Sequence, residues 1–194
     1  EITPLVPVLK SYWLTIHVSL EAGSYGFLVL GAIIGVLNLI LMIFGNQQNG
    51  EKVYRIIKEL SFISEMTLIG GLFMVSVGTY LGGVWANESW GRYWGWDAKE
   101  TWALVTILVY SFILHMRFIP GLRGIYAFNV ATLFGWASVA MTYFGVNYYL
   151  SGLHSYAAGD PVPVPTFVYY IVGSLVLISL VAFWRHRNYK RNEL

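Results

Sequence analysis

The sequence predicts an all-α membrane protein, a polytopic bundle of about five transmembrane helices with its N-terminus outside and its C-terminus in the cytoplasm. Three observations lead there. Of 194 residues, 57% are hydrophobic and only 11% are charged, against roughly a quarter charged in a soluble domain. Five stretches reach or approach the ~20 predominantly apolar residues that a helix needs to cross a bilayer. The basic residues fall in alternate connections, as the positive-inside rule requires. There is no cysteine, which excludes disulfides, thiolate metal sites and a cysteine nucleophile. A formal charge of +2 carries no polybasic signal, and the expected partner surface is the lipid bilayer, with no nucleic acid.

Residues 1–23 read as an external segment carrying Lys10 and His17. Ser24 to Phe44 is the first apolar run and is uncharged. Met66 to Val84 is the second, uncharged and rich in glycine. A tryptophan-rich loop follows over 85–101. Trp102 to Phe118 is a shorter run with His115 and Arg117 near its end, and Ile125 to Val146 is uncharged with Asn129 its notable polar residue. A second external segment, 147–165, carries His154 and ends in Pro161, Pro163 and Pro165. Thr166 to Trp184 is the last run. Gly31 with Gly35, and Gly70 with Gly71, provide small surfaces on which helices can approach closely.

Nine of the 12 Lys and Arg residues lie in 45–65, in the turn at 117–124 and after residue 184. Only Lys10, Arg92 and Lys99 lie on the other side, so the nine-residue side is expected to be cytoplasmic. With no internal repeat or low-complexity tract, 1–194 reads as one domain. The opening Glu-Ile-Thr-Pro lacks an initiator Met and an export signal, so a longer precursor with upstream membrane segments is expected.

Residues 90–97 are the most informative stretch, W-G-R-Y-W-G-W-D. Trp90, Trp94 and Trp96 stand within seven positions, and Trp85 and Trp102 extend the cluster to five of eight tryptophans within 18 residues. Such a cluster is either an interfacial belt or a floor for a large flat ligand. The topology brings it to the same face as His17 and His154. Haem iron takes imidazole in its axial positions, indoles suit a flat macrocycle, and Arg92 is the obvious cation for the propionates. Taken singly, each residue has an ordinary reading: a solvated histidine, a lipid-facing tryptophan, an arginine on lipid phosphate. The coincidence of all three pieces on one face favours haem. Asp97-Ala98-Lys99-Glu100 has the pattern of a capping box, and a structural role for Asp97 at the start of the next helix is favoured over proton transfer.

The loop, its continuation W-D-A-K-E-T-W with Leu114-His115-Met116-Arg117, the N-terminal K-S-Y-W-L-T-I-H-V and the later G-L-H-S-Y together resemble the WWD-domain proteins of cytochrome c biogenesis. This family includes the CcsA/ResC, CcmC and CcmF groups, and the CcsA/ResC branch of system II is the most similar. The resemblance covers nearly the whole chain. It implies that haem b is held non-covalently at the extracytoplasmic membrane face, with His17 and His154 as axial ligands and the loop Trp90–Asp97 over the haem. The haem vinyl groups would be joined to the thiols of a Cys-x-x-Cys-His motif in apocytochrome c, a haem lyase or synthase activity shared with a CcsB/ResB-like partner or a fused N-terminal half. It implies a second, intramembrane haem position at His115, roughly 20 Å along the helix from Trp102, with its partner histidine from another segment. His186 is expected to be solvated. The expected location is the bacterial inner or plasma membrane. No residue is assigned as a catalytic acid, base or nucleophile, because positioning alone accounts for the chemistry. The main alternative is a haem transport or chaperone module without synthase activity, similar to CcmC. A membrane cytochrome b would need facing pairs of intramembrane histidines, and a purely structural subunit would use the tryptophans only as a belt.

Overall fold

A computed structural model describes residues 11–150, 152–153 and 163–192, with side chains as far as Arg187. The described residues form helices and connections, with no strand among them. Helix α1 spans Tyr12–Phe44, α2 Gly50–Trp90 and α3 Ala98–His115, which tightens into a 3-10 turn at Met116–Phe118. Helix α4, Ile125–Ala140, passes through a π-helical turn at Met141–Gly145 into the short α5, Val146–Tyr149. The chain ends in α6, Thr166–Asn192. Among the described residues, five helical stretches are long and apolar enough to cross a membrane: Tyr12–Phe44, Gly50–Trp90, Ala98–Phe118, Ile125–Tyr149 and Thr166–Arg187.

The helices outrun the apolar segments that predict them. From Tyr12 onward, the segment expected to be external is already the opening of α1, and His17 therefore sits on a helix. Nothing in 12–23 interrupts a helix, since proline is absent there and an interior proline is the strongest breaker. Helix α2 likewise begins 16 residues before Met66. Its extension carries Glu51, Arg55 and Glu59 at four-residue spacing, the arrangement of opposite charges that supports a helix outside an apolar environment. It ends only at Trp90, where Gly91 adopts φ 72°, the left-handed conformation that glycine supplies at a helix C-terminus. The loop proper is therefore 91–97, shorter than the 85–101 read from composition.

Helix α1 is the hub, packing along α2 and also against α4 and α6. The small-residue surfaces lie where helices meet. A Cβ on Gly71 would come within 2.6 Å of Leu28 Cδ2, and one on Gly35 within 2.9 Å of the Asn129 carbonyl oxygen. Leu28, Leu68, Tyr110, Ile113, Met116 and Val139 form one apolar core, and Leu39, Met42, Ile57, Leu133 and Ala182 a second. Between them Asn129 finds its purpose. Asn38 Nδ2 donates to Asn129 Oδ1 at 2.8 Å and to Ser61 Oγ at 3.1 Å, while Asn129 Nδ2 donates to Ser61 Oγ at 3.0 Å. This buried triad ties α1, α2 and α4 by interhelical hydrogen bonds, the directional glue of membrane bundles. Arg185 of α6 donates to the carbonyls of Ile43 and Gly45 at 3.1 Å each, satisfying acceptors that the end of α1 leaves open.

The alternation of helices sorts the connections to two ends. The beginning of α1, the loop 91–97 and α5 share one end. The turn 45–49, the turn 116–124 and the end of α6 share the other, with Lys52, Arg55, Lys58, Arg117, Arg123, Arg185 and Arg187.

Candidate functional site

At the loop end a cleft of about 220 Å³ lies between the first turns of α1, the last turns of α2, the loop and the π-helical turn. Its most ordered wall is built around His17. The imidazole Nδ1 is 2.7 Å from the carbonyl oxygen of Gly78. A carbonyl only accepts, so Nδ1 carries a proton, and in the neutral ring Nε2 carries the lone pair. That is the tautomer by which a histidine binds a metal, its other nitrogen held by a backbone acceptor. The ring lies parallel to Trp85, 6.4 Å between centroids and 11° between planes, and Trp85 is 1% exposed. Trp90 meets Trp85 edge-on at 4.8 Å. The ring has room because position 82 is glycine: a Cβ there would come within 2.7 Å of both Cε1 and Nδ1 of His17.

The tryptophans do not form one floor. Trp85 and Trp90 belong to the end of α2 and back His17, whereas Trp94 lines the cleft from the loop. Trp96 stands perpendicular to Trp94 at 5.7 Å and is 70% exposed. It is also the single non-glycine residue with positive φ, 57°, among the described residues. Bulky residues rarely adopt that conformation, and such strain is retained where the surrounding structure holds it for a purpose.

The loop is held by acid groups. Glu100 Oε2 accepts from the backbone of Gly95 at 2.8 Å and Asp97 at 3.2 Å, and the Asp97 side chain accepts from Lys99 N, completing the expected capping box. The second oxygen of Asp97 accepts from the amide of Leu153 at 2.7 Å. Asp97 thus ties the loop to the segment leading into His154, which itself lies outside the described residues. Arg92 is engaged within the loop. Its guanidinium is 3.6 Å from Glu100 and 5.9 Å from the Trp90 ring centre, and it occupies the space that a side chain on Gly95 would need. The cationic side chain that lines the cleft is Lys99.

One helical turn beyond His17, Glu21 is 9% exposed. Thr79 Oγ1 donates to its Oε1 at 3.1 Å, and Tyr25 and Lys99 line the same cleft. Sequence reasoning gives Glu21 and Tyr25 no site role, and reaches Trp85 and Lys99 only as an extension of the tryptophan cluster and as an external basic residue. The signal for the first two is present: His17, Glu21 and Tyr25 recur every four residues, one stripe of a helix. An apolar run that begins at Ser24 leaves that stripe outside the helix. The π-helical turn presents Tyr143, which meets Tyr25 edge-on at 6.4 Å. Such turns recur at functional sites because the extra residue redirects a side chain.

His115 lies at the opposite end, the last residue of α3 and exposed. Its Nδ1 is 2.7 Å from the Ser111 carbonyl, so it shares the tautomer of His17. Arg117 nearby pairs with Glu65. His186 is not simply solvated, since its ring lies over Tyr126 at 6.2 Å and 16°.

These features define a multi-pass integral membrane protein whose distinguishing part is an aromatic, histidine-bearing cleft at one end of the helices. Comparison with known proteins narrows the class. The chain belongs to the cytochrome c assembly family: the family model described as Cytochrome C assembly protein matches residues 1–154. It is 50% identical over 193 residues to the protein NrfI of Wolinella succinogenes, covering 100% of this chain and 21% of NrfI. It is 34% identical to the cytochrome c biogenesis protein CcsA of Cyanophora paradoxa, covering 80% of this chain and 61% of that protein. Against CcsA of Chlamydomonas reinhardtii the identity is 41%, with 80% of this chain and 44% of the relative covered. The chain thus spans about a fifth of NrfI and about half of these CcsA proteins.

Proposed function

We propose that this chain binds haem b at the extracytoplasmic membrane face and presents it for covalent attachment to the Cys-x-x-Cys-His motif of apocytochrome c, as part of a haem lyase that includes a CcsB/ResB-like partner. The observation that carries the reading is the setting of His17. Its proton is held on Nδ1 by Gly78, its plane is set by Trp85, and the cleft beside it is walled by aromatic rings. His17 supplies one axial imidazole and His154 the other. Asp97, by holding the amide before His154, keeps the second ligand segment at the loop. Trp94 covers one side of the haem, and Trp90 acts through Trp85. Trp96, exposed and held in a strained conformation, faces the incoming apocytochrome. Arg92 serves by closing the loop onto Glu100.

The bound haem supplies the vinyl groups, to which each cysteine thiol adds with its hydrogen, forming one carbon–sulfur bond per vinyl without net oxidation. The chain contributes position: a fixed imidazole plane, a fixed aromatic wall and exclusion of water from one side, which convert an encounter of large molecules into a held geometry. His115, with Nδ1 held in the same way and its ring exposed, ligates a second haem together with a histidine from a neighbouring segment. With the nine-residue basic side cytoplasmic, as the positive-inside rule expects, this second site would lie on the entry side.

Absorption spectroscopy of the purified full-length protein tests the reading. His17→Gly and His154→Gly each are expected to lose or shift the haem spectrum, with recovery on adding imidazole. Unchanged haem content and spectra in both variants would remove these histidines as ligands. Covalent haem transfer to a co-expressed Cys-x-x-Cys-His protein separates a synthase from a haem chaperone similar to CcmC.

A further inference from the structure

The cleft is lined by a lysine and by a buried acid that haem ligation does not require. We propose that Lys99 receives a carboxylate of the haem, and that Glu21 is the counter-ion against which that carboxylate competes. The inference rests on the haem-binding reading above and specifies which residue reads the anionic edge of the ligand.

Three observations point to Lys99. It is the sole Lys or Arg side chain lining the cleft among the described residues, while Arg92 is packed into the loop against Glu100 and Trp90. It sits in the first turn of α3, where the helix dipole disfavours a cation. A lysine there works against helix stability and is held by its surroundings instead: it donates to Asn147 Oδ1 at 3.2 Å and lies in the field of Glu21 and Asp97. An ammonium has three donors, so acceptors beyond Asn147 fit within its capacity. A carboxylate entering beside Lys99 offers it acceptors, and charge-assisted bonds of this kind are among the stronger ones a site can make.

Glu21 completes the argument. Its carboxyl is buried, accepts from Thr79, and would lie 2.9 Å from a Cβ on Gly78. Gly78 is also the residue whose carbonyl holds His17. The acid thus packs against the residue that orients the ligand histidine. In its ionised form Glu21 opposes a haem carboxylate at Lys99, and so weakens anion binding and favours release. This suits a site that must hand its haem on.

The test uses the full-length protein depleted of haem and titrated separately with haem and with its dimethyl ester, in which both propionates are uncharged. The unmodified protein is expected to bind haem about tenfold or more tighter than the ester. Lys99→Gln brings the ratio near one, Lys99→Arg keeps it, and Glu21→Gln widens it. If Lys99→Gln does not fold, the Arg and Gln variants carry the test. Equal binding of the two porphyrins by the unmodified protein, an undiminished ratio in Lys99→Gln, or a ratio not widened in Glu21→Gln overturns the inference. Binding of both porphyrins with an axial spectrum that depends on His17 leaves the haem site standing in those cases. Binding of neither porphyrin removes the site and the inference together.

Discussion

Replacing Gly82 with alanine places a methyl group where the His17 ring now lies. The new Cβ would be 2.7 Å from Cε1 and Nδ1 and 3.2 Å from Nε2. The ring must retreat by about 0.7 Å to reach 3.4 Å, the near edge of ordinary van der Waals contact. It cannot do so freely, because Trp85 is stacked parallel to it and Nδ1 is bonded to Gly78 at 2.7 Å. The substitution therefore costs the hydrogen bond, about 0.5–1.5 kcal/mol net, and turns the imidazole away from its set plane. Loss of such an outer support typically lowers metal affinity by roughly 10–100-fold. The assay is haem content and absorption of the purified full-length variant, with imidazole added to replace a misplaced ligand. Gly70→Ala is the matched control, since its Cβ would meet Phe27 at 3.5 Å, an ordinary contact on the same helix. Wild-type haem content and spectra in Gly82→Ala, or an equal loss in Gly70→Ala, would refute the assignment of His17 as a ligand held by α2.

Asp97→Ala removes the cap of α3 and the acceptor for Leu153 N together. Thermal unfolding in detergent should show a loss of about 1–2 kcal/mol, and haem content should fall with it; wild-type values of both would separate the loop from the His154 segment. Trp96→Gly relieves a backbone conformation costing on the order of 1 kcal/mol or more, so the variant should be at least as stable as wild type while attaching less haem to apocytochrome; destabilisation would show that the indole serves folding. Asn129→Leu breaks the Asn38–Ser61–Asn129 triad and leaves Asn38 short of a partner. A loss of about 1–2 kcal/mol is expected, read as a lower unfolding temperature, and an unchanged temperature would mean that the triad contributes nothing net.

The number and placement of the helices were legible because crossing a bilayer requires long uncharged runs, and such runs announce themselves in any sequence. Their ends were less legible. Tyr12 to Gly23 and Gly50 to Glu65 are amphipathic or charged, and a hydropathy criterion stops where their apolar character does. That misplaced boundary hid Glu21, which belongs to a helical stripe with His17 and Tyr25. The capping box of Asp97 and Glu100 was read correctly, since its geometry depends on residues three apart and on nothing distant.

His17, the tryptophan-rich loop and Asp97 could be singled out by residue type and spacing alone, because local chemistry and helix periodicity operate within a few residues. Which groups meet was decided by the packing of α1 on α2, a contact between residues about 60 positions apart. That packing set His17 against Trp85 and over Gly82, while the fold of the loop onto α3 turned Arg92 to Glu100 and left Lys99 lining the cleft. A side chain's partners across helices depend on crossing geometry and on where glycines let backbones approach, and neither is written in any short stretch of the chain.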